Sequence, residues 1–360
     1  MKAVTWQGKQ KMEIRNVDDP KILEPTDAII RITATAICGS DLHLYHHGEA
    51  VLEKGYVVGH EPMGIVEEVG SQVQTLKKGQ RVVIPFNISC GHCHFCLNHM
   101  ESQCDESNPD QLYGGLFGFG KLNGNHWGGQ AEYLRVPYAD STSFVVPDND
   151  LPDEKVLFLS DILPTAYWSV ENAGVKKGDT VVILGSGPVG LFAQKFAVMA
   201  GAERVIAVDP VQHRLDKAAN YNGVETYFLE DTAQAGTELY ELAKGGADVI
   251  IDCVGMDGLE PVKEKSEKFS KLTKRHNLSI TDGIASCQKI WNSPSNWCLY
   301  DSSFFLPAAR IFYAGYRCQA WTGTNYPSNA KNLRNDCRRT IRSYTNHYSF
   351  AATIRSSTSI

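Results

Sequence analysis

Four cysteines, Cys90, Cys93, Cys96 and Cys104, are separated by two, two and seven residues in a chain of 360. Short Cys-x-x-Cys steps place consecutive sulfurs about a metal's width apart, so the four can wrap one Zn²⁺ tetrahedrally. A closed shell of four thiolates leaves no position for water or substrate, and such a zinc folds a loop without doing chemistry. The competing assignment is one or two disulfides. No signal peptide opens the chain, which points to the reducing cytoplasm and against disulfides. His92, His94 and His99 lie in the same stretch, but with four thiols available they are expected to be solvated loop residues.

A second set of donors suits a site that stays open. Cys38-Gly-Ser40-Asp-Leu-His43 and Gly59-His60-Glu61-Pro-Met-Gly64 are short motifs, the latter followed by Gly70 and Val73. A thiolate and an imidazole are two of the three protein ligands a catalytic zinc needs, with the fourth position left to water or a substrate oxygen. Ser40 and His43 stand close enough to Cys38 in sequence to relay a proton outward. Glu61, directly after His60, can orient the site or serve as a transient ligand. Taken singly, Cys38 reads as a small buried hydrophobe and His60 as a satisfied loop histidine. Their joint occurrence with the four-thiol segment favours metal. His46, His47 and His126 have no such company and are assigned to surface or packing.

The third chemical signal is Gly185-Ser-Gly187-Pro-Val-Gly190, which follows the apolar run Thr180–Leu184. Gly185 permits a tight turn, Gly187 lets backbone approach a pyrophosphate, and Gly190 lets the next helix pack on the strand. The phosphates would sit on that helix's N-terminal N–H groups. The helix is expected to end near Gly201, with a second strand from Arg204 to Asp209. A carboxylate at Asp209, 19 residues after Gly190, would accept from a ribose 2′-hydroxyl and repel a 2′-phosphate, favouring NAD over NADP. The alternative is an ordinary capping aspartate.

These residues need elements to position them. Segments 28–34, 64–70 and 81–85 read as short, partly alternating strands punctuated by Gly and Pro, with both catalytic-zinc motifs in loops between them. Residues 247–255 form a near-continuous apolar run, as in a buried parallel strand, with Cys253 a core thiol. At about 100–200 residues per domain, 360 residues imply two domains. The 41 acidic and 35 basic residues give a net charge of −6, which offers nucleic acid no basic surface. No apolar run approaches a membrane span of about 18 residues.

Together these residues resemble the zinc-dependent medium-chain alcohol dehydrogenases over roughly residues 1–272. Within that family they look most like the branch of glutathione-independent formaldehyde dehydrogenases and related short-chain-alcohol dehydrogenases. The resemblance implies a mixed α/β and β protein: a GroES-like β-rich catalytic domain over 1–150 and a Rossmann doubly wound parallel sheet over 151–272. It implies that the third catalytic ligand, often cysteine, is Asp161 here, a carboxylate that is a harder zinc donor than thiolate. The competing role for Asp161 is to cap the following helix. The implied activity is NAD-linked oxidation of a small alcohol or hydrated formaldehyde by a cytoplasmic protein, a homo-oligomer if the family's C-terminal part is present. Each chain would hold one catalytic and one structural zinc. Polyol and amino-alcohol dehydrogenases share these motifs.

Beyond about Leu272 the sequence changes character. Ser, Asn, Arg and Thr dominate without helical or strand period, and four of the ten cysteines fall there without metal spacing. Back-translating Lys274–Trp291 and reading one nucleotide later permits KGTISALQMASRAVRKFG, an amphipathic helix ending in a turn. The same offset applied to Asn325–His347 permits IIHQMPKIYEMIAEGQFDPTQIITH, a helix and then a strand. A single-base insertion near Leu272–Thr273 is therefore expected, making 273–360 an aberrant tail; the competing assignment is a genuine divergent or disordered tail. With such a tail the cofactor sheet is expected to lack its fifth and sixth strands, leaving the strand at 247–255, or its neighbour, with an uncovered edge. The product would then be an inactive zinc- and NAD-binding protein.

Overall fold

The computed structural model describes residues 1–109, 114–147, 151–230, 232–254 and 278–280. One compact unit, Met1–Val146 with Asp150–Cys318, holds all the elements named below; the other comprises Pro147–Asn149 and Gln319–Ile360.

Near the N-terminus β1 (Lys2–Gly8) and β2 (Lys11–Asn16) form an antiparallel pair. A five-stranded antiparallel sheet follows, built from β3 (Ala28–Ala36), β4 (Glu61–Val69), β5 (Arg81–Val83), β6 (Tyr133–Val136) and β7 (Phe144–Val145), in the order β6-β3-β4-β5-β7. Its inward residues, among them Ile30, Val66, Val82 and Leu134, join Phe117 and Ile84 in one core. Three helices attach to this part of the chain: α1 (Gly39–His47), α2 (His94–Leu97) and α3 (Ala139–Thr142). Thus Ser40 and His43 lie on a helix and Glu61 opens a strand, whereas the sequence placed all three in loops.

After α4 (Asp153–Val156) and α5 (Ile162–Ala173) comes a parallel sheet. Its strands are β8 (Thr180–Leu184), β9 (Arg204–Asp209), β10 (Glu225–Phe228), β11 (Val249–Asp252) and β12 (Leu278–Ile280), in the order β10-β9-β8-β11-β12. The chain thus winds outward one way from β8 and then returns to its other side, which creates a crevice at the strand ends between β8 and β11. Helices α6 (Pro188–Met199), α7 (Gln212–Asn222) and α8 (Thr232–Leu242) complete the unit.

The apolar run of β8 is explained by burial on both faces. Val181 and Ile183 pack with Ala166, Ala193 and Leu215 of α5, α6 and α7, while Val182 and Leu184 pack with Leu239 and Ala243 at and just beyond the end of α8. Cys253 is half-buried against the first of these clusters. One expectation is corrected: the sheet has a fifth strand, because Leu278–Ile280 pairs with β11 in parallel, Ile250 opposite Leu278, and this neighbour takes the edge. The remaining expectations for 273–360 fall outside the described residues.

Candidate metal and dinucleotide sites

Strand register builds the first site. Ala36 at the end of β3 pairs with Glu61 at the start of β4, so Cys38, just past one strand, meets His60, just before the other. Gly59 takes φ +97°, a left-handed conformation that favours glycine, and a Cβ there would stand 2.4 Å from Gln130 Cγ. The third donor arrives through packing. Val156 and Leu157 share a core with Met63 and Val83, and the Phe86 N–H donates to the Ser160 carbonyl at 3.3 Å. Asp161 is the next residue.

The result is a group in which one donor atom each from Cys38, His60, Glu61 and Asp161 lie within 4.8 Å of one another. His60 is 1% exposed, and neither of its ring nitrogens has a hydrogen-bond partner. Its Nε2 lies 3.2 Å from Asp161 Oδ2 and its Nδ1 lies 3.3 Å from Asp41 Oδ1. Two nitrogen or oxygen ligands of one tetrahedral zinc stand roughly 3.3–3.4 Å apart, so the first spacing suits a shared ion. Buried, orphaned imidazole nitrogens among thiol and carboxyl groups fit a metal better than an empty core.

The electrostatics agree. Burial alone would push the His60 pKa down, but Asp41 and Asp161 override it and raise it well above the usual histidine range. Burial raises the Cys38 thiol, with His60 opposing. Glu61 is pushed up to about 7, by burial first and then by the charge of Asp161. This is an anion-rich pocket that favours a cation. Phe119 and Phe86 wall it, with ring centroids 4.8 and 6.4 Å from that of His60.

Asp161 is the N-cap residue of α5, but its side chain makes no capping hydrogen bond. Ser40 Oγ stands 3.9 Å from Cys38 Sγ, and His43 follows one turn along α1. Asp41 was passed over in the sequence motif. Its Oδ2 accepts from the Cys38 N–H at 2.8 Å while Oδ1 faces His60, so it stands against two of the candidate donors at once. A carboxylate at the third helical position is a recognisable N-terminal signature, and that was the available signal.

The second set consists of thiols alone. The four sulfurs of Cys90, Cys93, Cys96 and Cys104 gather within the same limit. Cys90 and Cys96 sulfurs are 3.9 Å apart, as are those of Cys93 and Cys104, against about 3.8 Å for two thiolates on one zinc. Backbone N–H groups of His92 and Cys93 donate to Cys90 Sγ, and that of Cys90 donates to Cys104 Sγ. Such bonds orient metal-binding thiolates. Burial raises Cys90 to about 11; Cys104 is lowered despite burial, because the Cys90 N–H and Ser107 donors outweigh it. His92 and His94 remain exposed, and His46 and His47 likewise.

The glycine turn follows β8 at the crevice. Gly185 has φ +87°, and a Cβ on Gly190 would stand 2.0 Å from the Gly185 carbonyl oxygen. At Gly187 a Cβ would meet nothing within 4 Å, which leaves open space at the α6 N-terminus. Asp209 is buried, with Oδ2 accepting from the Ser186 N–H and Oδ1 from the Val211 N–H, both at 2.8 Å. It ties the turn to β9, and its Oδ2 also lies 3.6 Å from the Arg214 guanidinium.

Residues 24–148 match the alcohol dehydrogenase GroES-like domain, and residues 188–262 match the zinc-binding dehydrogenase domain. The chain is 58% identical over 259 residues to the zinc-type alcohol dehydrogenase-like protein AdhB of Bacillus subtilis, covering 72% of this chain and 68% of that one. It belongs to the zinc-type alcohol dehydrogenase family. A glutathione-independent formaldehyde dehydrogenase of the same organism is 36% identical over 276 residues, 71% of this chain and 66% of its own. Among solved structures, alcohol dehydrogenase TADH from Thermus sp. ATN1 superposes with a TM-score of 0.70 at 31% identity, covering 89% of this dehydrogenase and 88% of TADH. Among the described residues no helix of this family member is long and apolar enough to cross a membrane.

Proposed function

We propose that the chain oxidises a small alcohol or hydrated formaldehyde by hydride transfer to NAD, with two zinc ions per chain. The observation that carries this reading is the contrast between the donor sets. Four thiols close one of them. In the other Cys38, His60 and Asp161 offer three mixed donors, with Glu61 behind, the composition that leaves a position for a substrate oxygen. Zinc bound there supplies Lewis acidity toward that oxygen.

The chain's own groups do the rest. Asp41 fixes the His60 ring with Nε2 turned toward Asp161. Ser40, beside the Cys38 sulfur, accepts the hydroxyl proton, and His43 passes it outward along α1. Phe86 and Phe119 keep water from the donors. Gly185, Gly187 and Gly190 seat the pyrophosphate, and Asp209 accepts from the ribose, which disfavours NADP.

Zinc analysis with NADH production from formaldehyde and short alcohols tests this, using NAD and NADP in parallel. Two zincs and NAD-preferring turnover are expected. Faster turnover of sorbitol- or threonine-type substrates would move the reading to a polyol or amino-alcohol dehydrogenase. Bound NAD without alcohol-dependent NADH would leave an inactive binding protein.

The extent of the similarity favours a second reading of the tail. The family match ends at residue 262, and the 58% identical relative aligns over only 259 of the 360 residues. We infer a single inserted base near Leu272–Thr273. A genomic read across codons 268–278 decides it: one base fewer supports the insertion, and the printed frame removes it.

A further inference from the structure

We infer that Thr165 is a positioning residue that holds the Asp161 carboxylate to one metal-facing oxygen. This rests on the reading of Asp161 as a zinc ligand. A thiolate presents the same single atom however it turns. A carboxylate presents two, and its terminal torsion is broad and two-fold. A chain with Asp at this position must therefore choose between one- and two-oxygen ligation, and two oxygens would take the position a substrate needs.

The choice is built into α5. Thr165 lies one turn beyond Asp161, on the same helix face. Its Oγ1 donates to Asp161 Oδ1 at 3.1 Å, which leaves Oδ2 facing His60 Nε2 at 3.2 Å. A helical threonine commonly returns its hydroxyl to the carbonyl four residues back; here the Thr165 N–H serves that carbonyl, at 3.1 Å, and the hydroxyl serves the carboxylate. The donor is well fixed, since Thr165 is 9% exposed and β-branched.

The test compares Thr165→Val, which keeps shape and removes the donor, Thr165→Ala in case valine packs poorly, Thr165→Ser as the conservative rescue, and Asp161→Asn. The full chain is used throughout. The readouts are zinc release to a chelator and the visible spectrum after cobalt(II) is exchanged into the site. Wild type and Thr165→Ser are expected to show the intense bands of four-coordinate cobalt. Thr165→Val and Thr165→Ala are expected to show the weaker spectrum of five-coordinate cobalt and to lose one of two zincs roughly 10–100-fold more readily. Unchanged spectrum and release in both, with the metal lost in Asp161→Asn, would overturn the role of Thr165 alone. Full retention of both zincs in Asp161→Asn would overturn the ligand reading and this inference with it.

Discussion

Asp41 shows how much of this site depends on a residue that would touch neither metal nor substrate. It accepts from the Cys38 backbone and faces His60 Nδ1, so Asp41→Ala unfastens two ligands together. Zinc affinity at the open set is expected to fall roughly 10–100-fold, with the four-thiol site unaffected; a chelator titration that releases both zincs as in wild type would contradict this. His126 makes a different point. Burial, chiefly, depresses its pKa, so the folded protein takes up a proton there at lower pH than the unfolded chain, which does so near pH ~6.5. Its effect is absent above that pH and costs stability as pH falls below it. His126→Gln should therefore lose less stability than wild type between mildly alkaline and mildly acidic buffer, read from urea midpoints; equal losses would contradict it. The gathering of Cys38 with His60, and of the four thiols, was legible because thiol and imidazole spacing is chemically narrow, while Asp161 came only from the family resemblance. Asp41 and Thr165 were not, since an early helical aspartate and a mid-helix threonine have many ordinary uses, and only the fold shows what they face.

Two glycines in one turn separate folding from binding at the scale of an element. A methyl group on Gly190 would collide with the Gly185 carbonyl, whereas one on Gly187 meets open space. Gly187→Ala should therefore leave stability within about 0.5 kcal/mol of wild type and weaken NAD binding at least tenfold. Gly190→Ala should lose both, because α6 must lift off the turn. Calorimetric NAD titration beside thermal unfolding reads the two effects separately; a Gly187→Ala protein with normal NAD affinity would mean that phosphate does not approach there. The strands Thr180–Leu184 and Arg204–Asp209 could be read from sequence because parallel strands buried on both faces leave continuous apolar runs. The pairing of Leu278–Ile280 with β11 could not, since three residues carry no period and their neighbours in sequence are polar.

For the whole molecule, the inserted-base reading predicts that deleting one base near codon 272 converts a poorly soluble or inactive product into a soluble NAD-linked enzyme. Expression of both versions checks this, and robust NAD turnover by the printed chain would contradict it. The two donor sets also differ in when they come into existence. All four thiols of the closed set lie within 15 residues, Cys90 to Cys104, whereas the open set waits for Asp161, a further 57 residues along. At ~5–20 residues per second, the growing chain carries a finished thiol quartet for roughly 3–11 seconds before a competing set of three exists. Synthesis order therefore gives the quartet first claim on zinc. In a cell short of the metal, newly made chains would secure their loop and lack the ion that does chemistry, and activity would recover on adding zinc without new protein synthesis.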